Sequence, residues 1–575
     1  MHHKPLSARN RRWDLRDPAP VEFACQLALN PLIATLLYQR QLRDPEAVRA
    51  FLEPDIRTGL HNPLLMKGMA EASARIARAI EAGEPMAVYG DFDTDGVTAV
   101  TLLVQAIGAM GGSIRPYIPH RTREGYGLNP LAVGQLASEG VRLLITVDCG
   151  ISNVAEVAEA TRLGLDVIVT DHHQPPPVLP DALAIVNPRQ PGCTYPYKHL
   201  VGVGIAYKLV QALVRRGLSL GELRGRDLLD VVALGTVTDM GPLDGENRVL
   251  VTKGLEAINT TRRPGLRALI AATGLSQGRV RASDISFMLG PRLNAAGRLD
   301  DAVRAYQLLL AGDDSTAAAL AQELNQANRE RQELTRRVQA LAREQAEAER
   351  KHERRIVMLD GTEFAAGVVG LVAGKLAEEW GRPVLLIERG AEQSRGSARS
   401  VPGFNMIEAL TASADLFVRF GGHAAAAGFT IENAKLPVLE QRLLSLADAR
   451  LTDDMLVPAL PIDATLPLHE LGWALFDELA RLEPFGQGNP QPTLMSPAVE
   501  VVEARPRGAD GQHLRLLLRG GGETYEAIAF RLGGLAEAVR RQRFIDVVYT
   551  LDENLWNGER RLQLNVKDFR RAHPG

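Results

Sequence analysis

The chain has 575 residues, 45% hydrophobic and 23% charged, with a formal net charge of −3. That is the composition of a soluble multi-domain protein, and it excludes a globally basic, histone-like nucleic-acid binder without excluding a local basic groove. Three widely spaced cysteines (Cys25, Cys149, Cys193) give neither a disulfide framework nor a zinc pattern. No apolar run has membrane-span length and the N-terminus lacks a signal-peptide core, so a cytoplasmic location is expected. Cations are nine lysines against 57 arginines, a bias that suits bidentate phosphate recognition but that genome composition also produces.

In chain order, residues 1–70 read as a mainly helical lead-in packed on a catalytic domain. Over 71–312, apolar strand-like runs alternate with helical stretches, which predicts a parallel α/β sheet. Its strand candidates are MAVYG (86–90), LLITV (143–147) and DVIVT (166–170). The stretch 313–355 is polar, lacks Pro and Gly, and opens on cap-like Asp and Ser; it predicts one long connector helix. Its apolar positions are too sparse for sustained heptads. A second, smaller α/β unit follows over 356–450. Short β-like runs punctuated by RGADGQ and RGGGET then predict a small β-barrel or sandwich within 455–575.

The chemistry gathers at the ends of apolar runs. GDFDTDG (90–96) crowds Asp91, Asp93 and Asp95 at alternate positions, where like charges repel unless a cation sits among them. The motif opens like a calcium-binding EF-hand loop, but position twelve is Leu102 and a strand, not a helix, precedes it, so that reading fails. Asp148 follows the second run, Asp171, His172 and His173 the third, and Asp239 a fourth, ALGTVTD. Singly, these read as a helix cap, a surface pair and an ordinary acid. Ligands of open parallel sheets bind outside the carboxyl ends of strands, so four such clusters read together as one metal site at four strand ends. Carboxylates with imidazole and no thiolate favour Mn²⁺ or Mg²⁺, and the number of ligands suggests a pair of ions suited to phosphoryl displacement. The G-x-G of VGVGIAY (201–207) lacks the third glycine of a dinucleotide fingerprint and is set aside.

GDFDTDG, VDCG, TDHH and GTVTD, in this order and spacing, resemble the four motifs of the DHH phosphoesterase superfamily. The segment GFNMIEAL…RFGGHAAAAG (403–428) resembles its DHHA1 domain. LGTVTDMGPLDGENR and GPRLNAAGRLDDA (290–302) narrow the resemblance to RecJ-type single-stranded-DNA exonucleases, whose terminal β domain is an OB fold. The resemblance implies two ions held by Asp93, Asp95, Asp148, His172 and Asp239, with Asp148 bridging. Asp91 would lie close to the metals or their water, and His173 would face the scissile phosphate. It implies hydrolysis of single-stranded DNA from the 5′ end to mononucleotides, in repair and recombination, by a monomer acting with a single-stranded-DNA-binding protein and a helicase.

A 5′-phosphate pocket is expected from Arg121, Arg292 and Ser400, with Arg123, Arg298 and Arg399 as near alternatives. Gly421 and Gly422 suit close backbone approach to a phosphate, or a tight turn before a helix formed by the four following alanines, and His423 is expected to touch substrate. Phe530, Trp556 and Arg560 are expected to serve strand binding on the barrel. The chain departs from the family where a Trp-His-x-Gly-Val segment is common: EFAAGVVG (363–370) places Phe364 and Ala365 there, and Ala365 offers no hydrogen bond. Rival readings are a small-substrate phosphoesterase, which would lack the connector and barrel, and a non-catalytic DNA-binding relative, which would lack the metal residues.

Overall fold

The computed structural model describes residues 7–121, 123–299, 301–508, 510–556 and 559–572. It divides into two compact units, one of residues 49–332 with 483–490, the other of 1–48, 333–482 and 491–575.

The first unit is built on five parallel strands: β1 (Met86–Tyr89), β2 (Ile114–Tyr117), β3 (Leu143–Val147), β4 (Asp166–Thr170) and β5 (Ala184–Val186), in the order β2-β1-β3-β4-β5. All residues of β1 and β3 are buried, because helices cover both faces of the sheet and leave no polar-out alternation. Four helices shape the site: α1 (Thr94–Ala109), α2 (Gly202–Arg215), α3 (Leu229–Thr238) and α4 (Gly290–Leu299). α1 and α3 belong with β1 and β3 to one apolar core that includes Val97, Val100, Ile145, Val232 and Leu234.

The fourth apolar run is therefore a helix, not a strand: Asp239 closes the C-terminus of α3. All but its last residue are buried, and a helix buried all round has the same local signature as a buried strand.

The connector is α5 (Asp314–Ala348), 35 residues and about 52 Å at 1.5 Å per residue. Asp313 caps it, accepting from Thr316 N at 2.8 Å. It ends before the expected 355 because Arg350 turns into the left-handed region (φ 51°). Leu320, Ala321 and Leu324 join the core of the first unit, and Val338, Ala342 and Ala346 that of the second. Apolar contact among these residues thus falls in two stretches, 320–324 and 334–346, separated by a polar segment, which breaks the heptad pattern.

In the second unit, β6 (Val357–Gly361), β7 (Val384–Glu388), β8 (Gln393–Arg399), β9 (Phe417–Gly422) and β10 (Ala426–Glu432) form a sheet in the order β9-β10-β8-β7-β6, with helix α6 (Ala366–Trp380) packed on it between β6 and β7 in the chain. The alanine run enters no helix. Gly421 pairs with Gly428 and Gly422 with Ala427 in an antiparallel β9–β10 hairpin, and Ala427 also pairs with Ala398 of β8. Ladder pairing on both sides overrides the helix propensity of alanine.

Five further strands, β11 (Leu494–Arg507), β12 (His513–Gly520), β13 (Glu523–Ala529), β14 (Phe544–Trp556) and β15 (Glu559–Arg571), run in the order β11-β12-β13-β15-β14. β11 pairs with β14 and closes them into a barrel, which abolishes the sheet edges. Among the described residues no single helix is long and apolar enough to cross a membrane.

Candidate metal and phosphodiester site

Strand β1 delivers the first acids. Asp93 is the N-cap of α1: its Oδ1 accepts from Asp95 N at 2.9 Å and Gly96 N at 3.1 Å. Capping fixes the loop and places Asp95 in the first turn. Both oxygens of Asp95 accept from the start of α2, Oδ2 from Gly202 N at 2.6 Å and Oδ1 from Val203 N at 2.8 Å. A helix N-terminus offers free N–H groups and a favourable dipole to an anion. The G-x-G set aside in the sequence thus orients an acid of the site. A Cβ on Gly202 would lie 2.7 Å from Asp148 Cβ and 2.9 Å from Asp95 Oδ2, so the position is closed to a side chain.

Asp148, just past β3, adopts φ 59°, a left-handed conformation that aspartate tolerates better than most residues. Past β4, Asp171 is fully buried and accepts from Ile151 N, His172 N and His173 N, and its Oδ1 lies 2.8 Å from His173 Nδ1. The hydroxyl of Tyr126 lies 3.2 Å from the same Nδ1. On the other side of the loop, Asn294 of α4 accepts from Thr94 N at 2.9 Å.

These elements bring together every metal residue anticipated from the sequence. Three overlapping groups, Asp91–Asp93–Asp148, Asp95–His172–Asp239 and Asp148–His172–His173, each have ligand atoms within 4.8 Å of one another. His172 Nε2 lies 3.0 Å from Asp148 Oδ1, 3.7 Å from Asp239 Oδ2 and 3.9 Å from Asp95 Oδ2. Despite the 3.0 Å approach, Asp148 Oδ1 has no aligned hydrogen-bond donor. The same holds for the buried Asp91 Oδ1. Orphaned carboxylate oxygens in a buried site are costly unless a cation accepts them.

The electrostatics agree. Burial and then mutual repulsion push the carboxyls of Asp91, Asp95 and Asp148 well above the usual aspartate range. Burial and the charge of Asp93 push Asp239 up to about 7. Burial and the charge of His173 pull His172 down to about 3, keeping its imidazole neutral and fit to ligate. Burial opposes the charging of His173, yet the bond and charge of Asp171 raise it to about 9. Left alone, this cluster cannot ionise fully; divalent cations would let it do so. The residues fit the metal.

Of the expected phosphate ligands in the first unit, Arg121 stacks its guanidinium 4.7 Å over the Phe92 ring, beside the Asp91–Asp95 loop. Arg292 donates to Asn325 Oδ1 and Met288 O, and Arg298 lies on the same helix, α4. In the second unit, Arg399 donates to Ser397 Oγ and Ala398 O, and Ser400 Oγ donates to Phe404 O. Gly421, Gly422 and His423 are exposed on the β9–β10 hairpin. Phe364 is buried, and Ala365 is the N-cap of α6 with no capping side chain. On the barrel, Phe530 is exposed edge-on to His513, while Arg560 sits over Trp473 at 4.6 Å and pairs with Glu553. The Trp556 side chain lies outside the described residues.

Sequence reasoning assigned no role to Tyr126, Gly202 or Asn294 and left Asp171 without one. Position in the TDHH motif was the one available signal for Asp171; the other contacts span 47 to 200 residues.

The family models for the DHH family, N-terminal domain, and the DHHA1 domain match residues 85–236 and 354–453, and that for the RecJ OB domain matches 462–568. A parallel-sheet domain carrying aspartates and the His pair, followed by a DHHA1 domain, is the DHH–DHHA1 arrangement. Single-stranded-DNA-specific exonuclease RecJ of Bacillus subtilis is 38% identical over 98% of this chain and 71% of its own length. RecJ of Dickeya dadantii is 36% identical over 94% of this chain and 96% of its own. The crystal structure of RecJ from Thermus thermophilus in complex with Mn²⁺ superposes with a TM-score of 0.83 at 34% identity, covering 98% of this chain and 80% of that one. The chain belongs to the RecJ family.

Proposed function

We propose that this protein is a metal-dependent exonuclease that hydrolyses single-stranded DNA from its 5′ end and releases 5′-mononucleotides. The observation that carries the reading is the buried carboxylate–imidazole cluster with its two orphaned carboxylate oxygens, in a chain aligned with RecJ relatives over nearly its whole length.

Asp93, Asp95, Asp148, His172 and Asp239 would hold two divalent cations, Mn²⁺ or Mg²⁺. Such cations supply a water acidic enough to attack at neutral pH and neutralise charge developing on the phosphate. The chain's own part is to orient and to exclude. The N-terminus of α2 fixes Asp95, and the left-handed turn fixes Asp148. Asp171 accepts a hydrogen bond from Nδ1–H of His173, so that the cationic ring offers Nε2–H to a phosphate oxygen. Arg121 and Arg292 supply guanidinium groups for a terminal 5′-phosphate. In the second lobe, Arg399, Ser400 and the Gly421–His423 turn offer donors to substrate. Asp91, buried beside Asp93, would bond the water or a cation.

The segments read from the sequence are 1–70, 71–312, 313–355, 356–450 and 455–575; the compact units cut across them, with 1–48 in the second unit and 483–490 in the first. The protein acts in the cytoplasm as a monomer, in repair and recombination with a single-stranded-DNA-binding protein and a helicase. The barrel gives it sequence-tolerant grip on the strand through Phe530, Trp556 and Arg560.

Digestion of oligonucleotides labelled at either end tests the reading. With Mn²⁺ or Mg²⁺, single strands should release the 5′ label first, as a mononucleotide; duplex, RNA, EDTA and Asp148→Ala should each abolish release. A 5′-phosphate should be preferred over a 5′-hydroxyl, and Arg121→Ala or Arg292→Ala should erase that preference. Binding without cleavage under every metal condition would favour a non-catalytic scaffold.

A further inference from the structure

We infer that residues 483–490 are a strap that sets the position of Asp239 and thereby the strength with which the site holds its cation. The inference rests on the function proposed above. It gives a role in the metal centre to a segment that lies, in sequence, between a region and a barrel belonging wholly to the other compact unit.

Asp239 ends α3 in a tight turn. Asp239 N donates to Gly235 O and Gly241 N to Thr236 O, while Met240 turns into the left-handed region at φ 57°. The turn leaves the helix at Asp239, and its outer limb, Gly241–Leu243, carries the chain directly away from the carboxylate. That limb is held by the strap. Leu243 N donates to Gln487 O at 2.7 Å, and Leu243 is buried. The strap is itself folded for this contact: Gly486 and Asn489 pair as an isolated bridge, and Asn489 Nδ2 donates to Pro484 O at 2.9 Å. Its leading end is fixed by the buried Arg248, which donates to Glu483 O at 2.7 Å and to Phe51 O at 2.7 Å.

The two glycines record how closely the strap approaches. A Cβ on Gly488, whose φ is +73°, would lie 3.0 Å from Pro242 Cβ, and one on Gly486 would lie 2.7 Å from Leu243 Cδ1. Either would press on the limb that ends at Asp239. The residues are positioning residues: they touch neither cation nor substrate, and they act through one carboxylate. Partners of metal ligands typically change metal affinity roughly 10–100-fold when altered.

The test is Mn²⁺ binding to the full chain, read by calorimetry and by the loss of the free-ion electron-paramagnetic signal, for the unaltered protein, Gly488→Ala and Gly486→Ala. The expected result is a Kd for Mn²⁺ raised roughly 10-fold or more in both variants, with the activity lost at low Mn²⁺ restored by excess Mn²⁺. Gly486→Ala, which carries no left-handed strain, keeps the test open should Gly488→Ala fold poorly. Unchanged Mn²⁺ affinity in folded variants overturns the strap, as does a lowered turnover that excess Mn²⁺ leaves unrelieved. If the unaltered protein itself takes up no Mn²⁺, the proposed function fails, a result distinct from failure of the strap alone.

Discussion

Asp171 and His173 share a 2.8 Å contact between a carboxylate oxygen and ring Nδ1, while the backbone N–H groups of Ile151, His172 and His173 hold the carboxylate in place. The Asp171 carboxyl stays below the usual aspartate value, against its burial, because the bond and charge of His173 stabilise the anion. The pair is thus an acid serving a base, with the two values driven apart. In Asp171→Asn the metal-free His173 should titrate well below about 9, closer to its ordinary 6.5. Histidine-selective NMR reads this directly. In the metal-loaded enzyme, nearby cations lower the value further, and the alkaline fall of kcat/KM should move to lower pH in the variant. An unmoved titration would refute the role.

The raised carboxyls set the pH response of the metal-free protein. Asp239 has an ordinary value of 3.8 and a folded value of about 7. A group raised on folding contributes stability in full below its unfolded value and loses it as pH rises through the folded one. Asp91, Asp95 and Asp148 shift in the same direction. From about pH 4 through about pH 7 and above, therefore, the metal-free site becomes progressively destabilising, and bound cations relieve this. The rise in Tm on adding Mn²⁺ should be larger at about pH 8 than at about pH 5.5. Differential scanning fluorimetry of EDTA-stripped protein measures it, and an equal rise at both pH values would contradict the argument.

Gly202→Ala should separate fold from function. Alanine suits a helical position, but its Cβ would meet Asp148 and Asp95. Misplacement of catalytic groups by about 1 Å costs on the order of 100-fold in rate. We expect kcat/KM to fall by about that factor with the circular dichroism spectrum unchanged. Activity within about threefold of the unaltered enzyme would show that Asp95 tolerates the displacement.

Ala365→His should gain function. The position caps α6 beside a buried Phe364 and brings no side-chain hydrogen bond. One added neutral hydrogen bond to substrate is worth about 0.5–1.5 kcal/mol, or roughly 2–10-fold in kcat/KM on single-stranded DNA. Steady-state kinetics with a 5′-labelled strand checks it. No gain would mean that other groups already do this work.

Much of this protein was legible before folding. Strands ending at Tyr89, Val147 and Thr170 are short buried runs flanked by acids, and alternation of strand and helix dictates a parallel sheet whose carboxyl ends gather ligands. The uninterrupted polar stretch after Asp313 could only be a helix, and turn-separated β runs announced the barrel. What the sequence left open was decided at long range. Asp239 leaves a helix rather than a strand because its element is buried on every side, which erases the periodicity that distinguishes the two. After a turn at Ala424 and Ala425, Ala426 and Ala427 enter a strand because β8 and β9 present ladders to it. Asp95 is aimed by amides more than a hundred residues away, and Asp239 by a strap further still from it in the chain. Local residue chemistry chose the ligands; hydrogen bonds and close packing between distant segments set their positions.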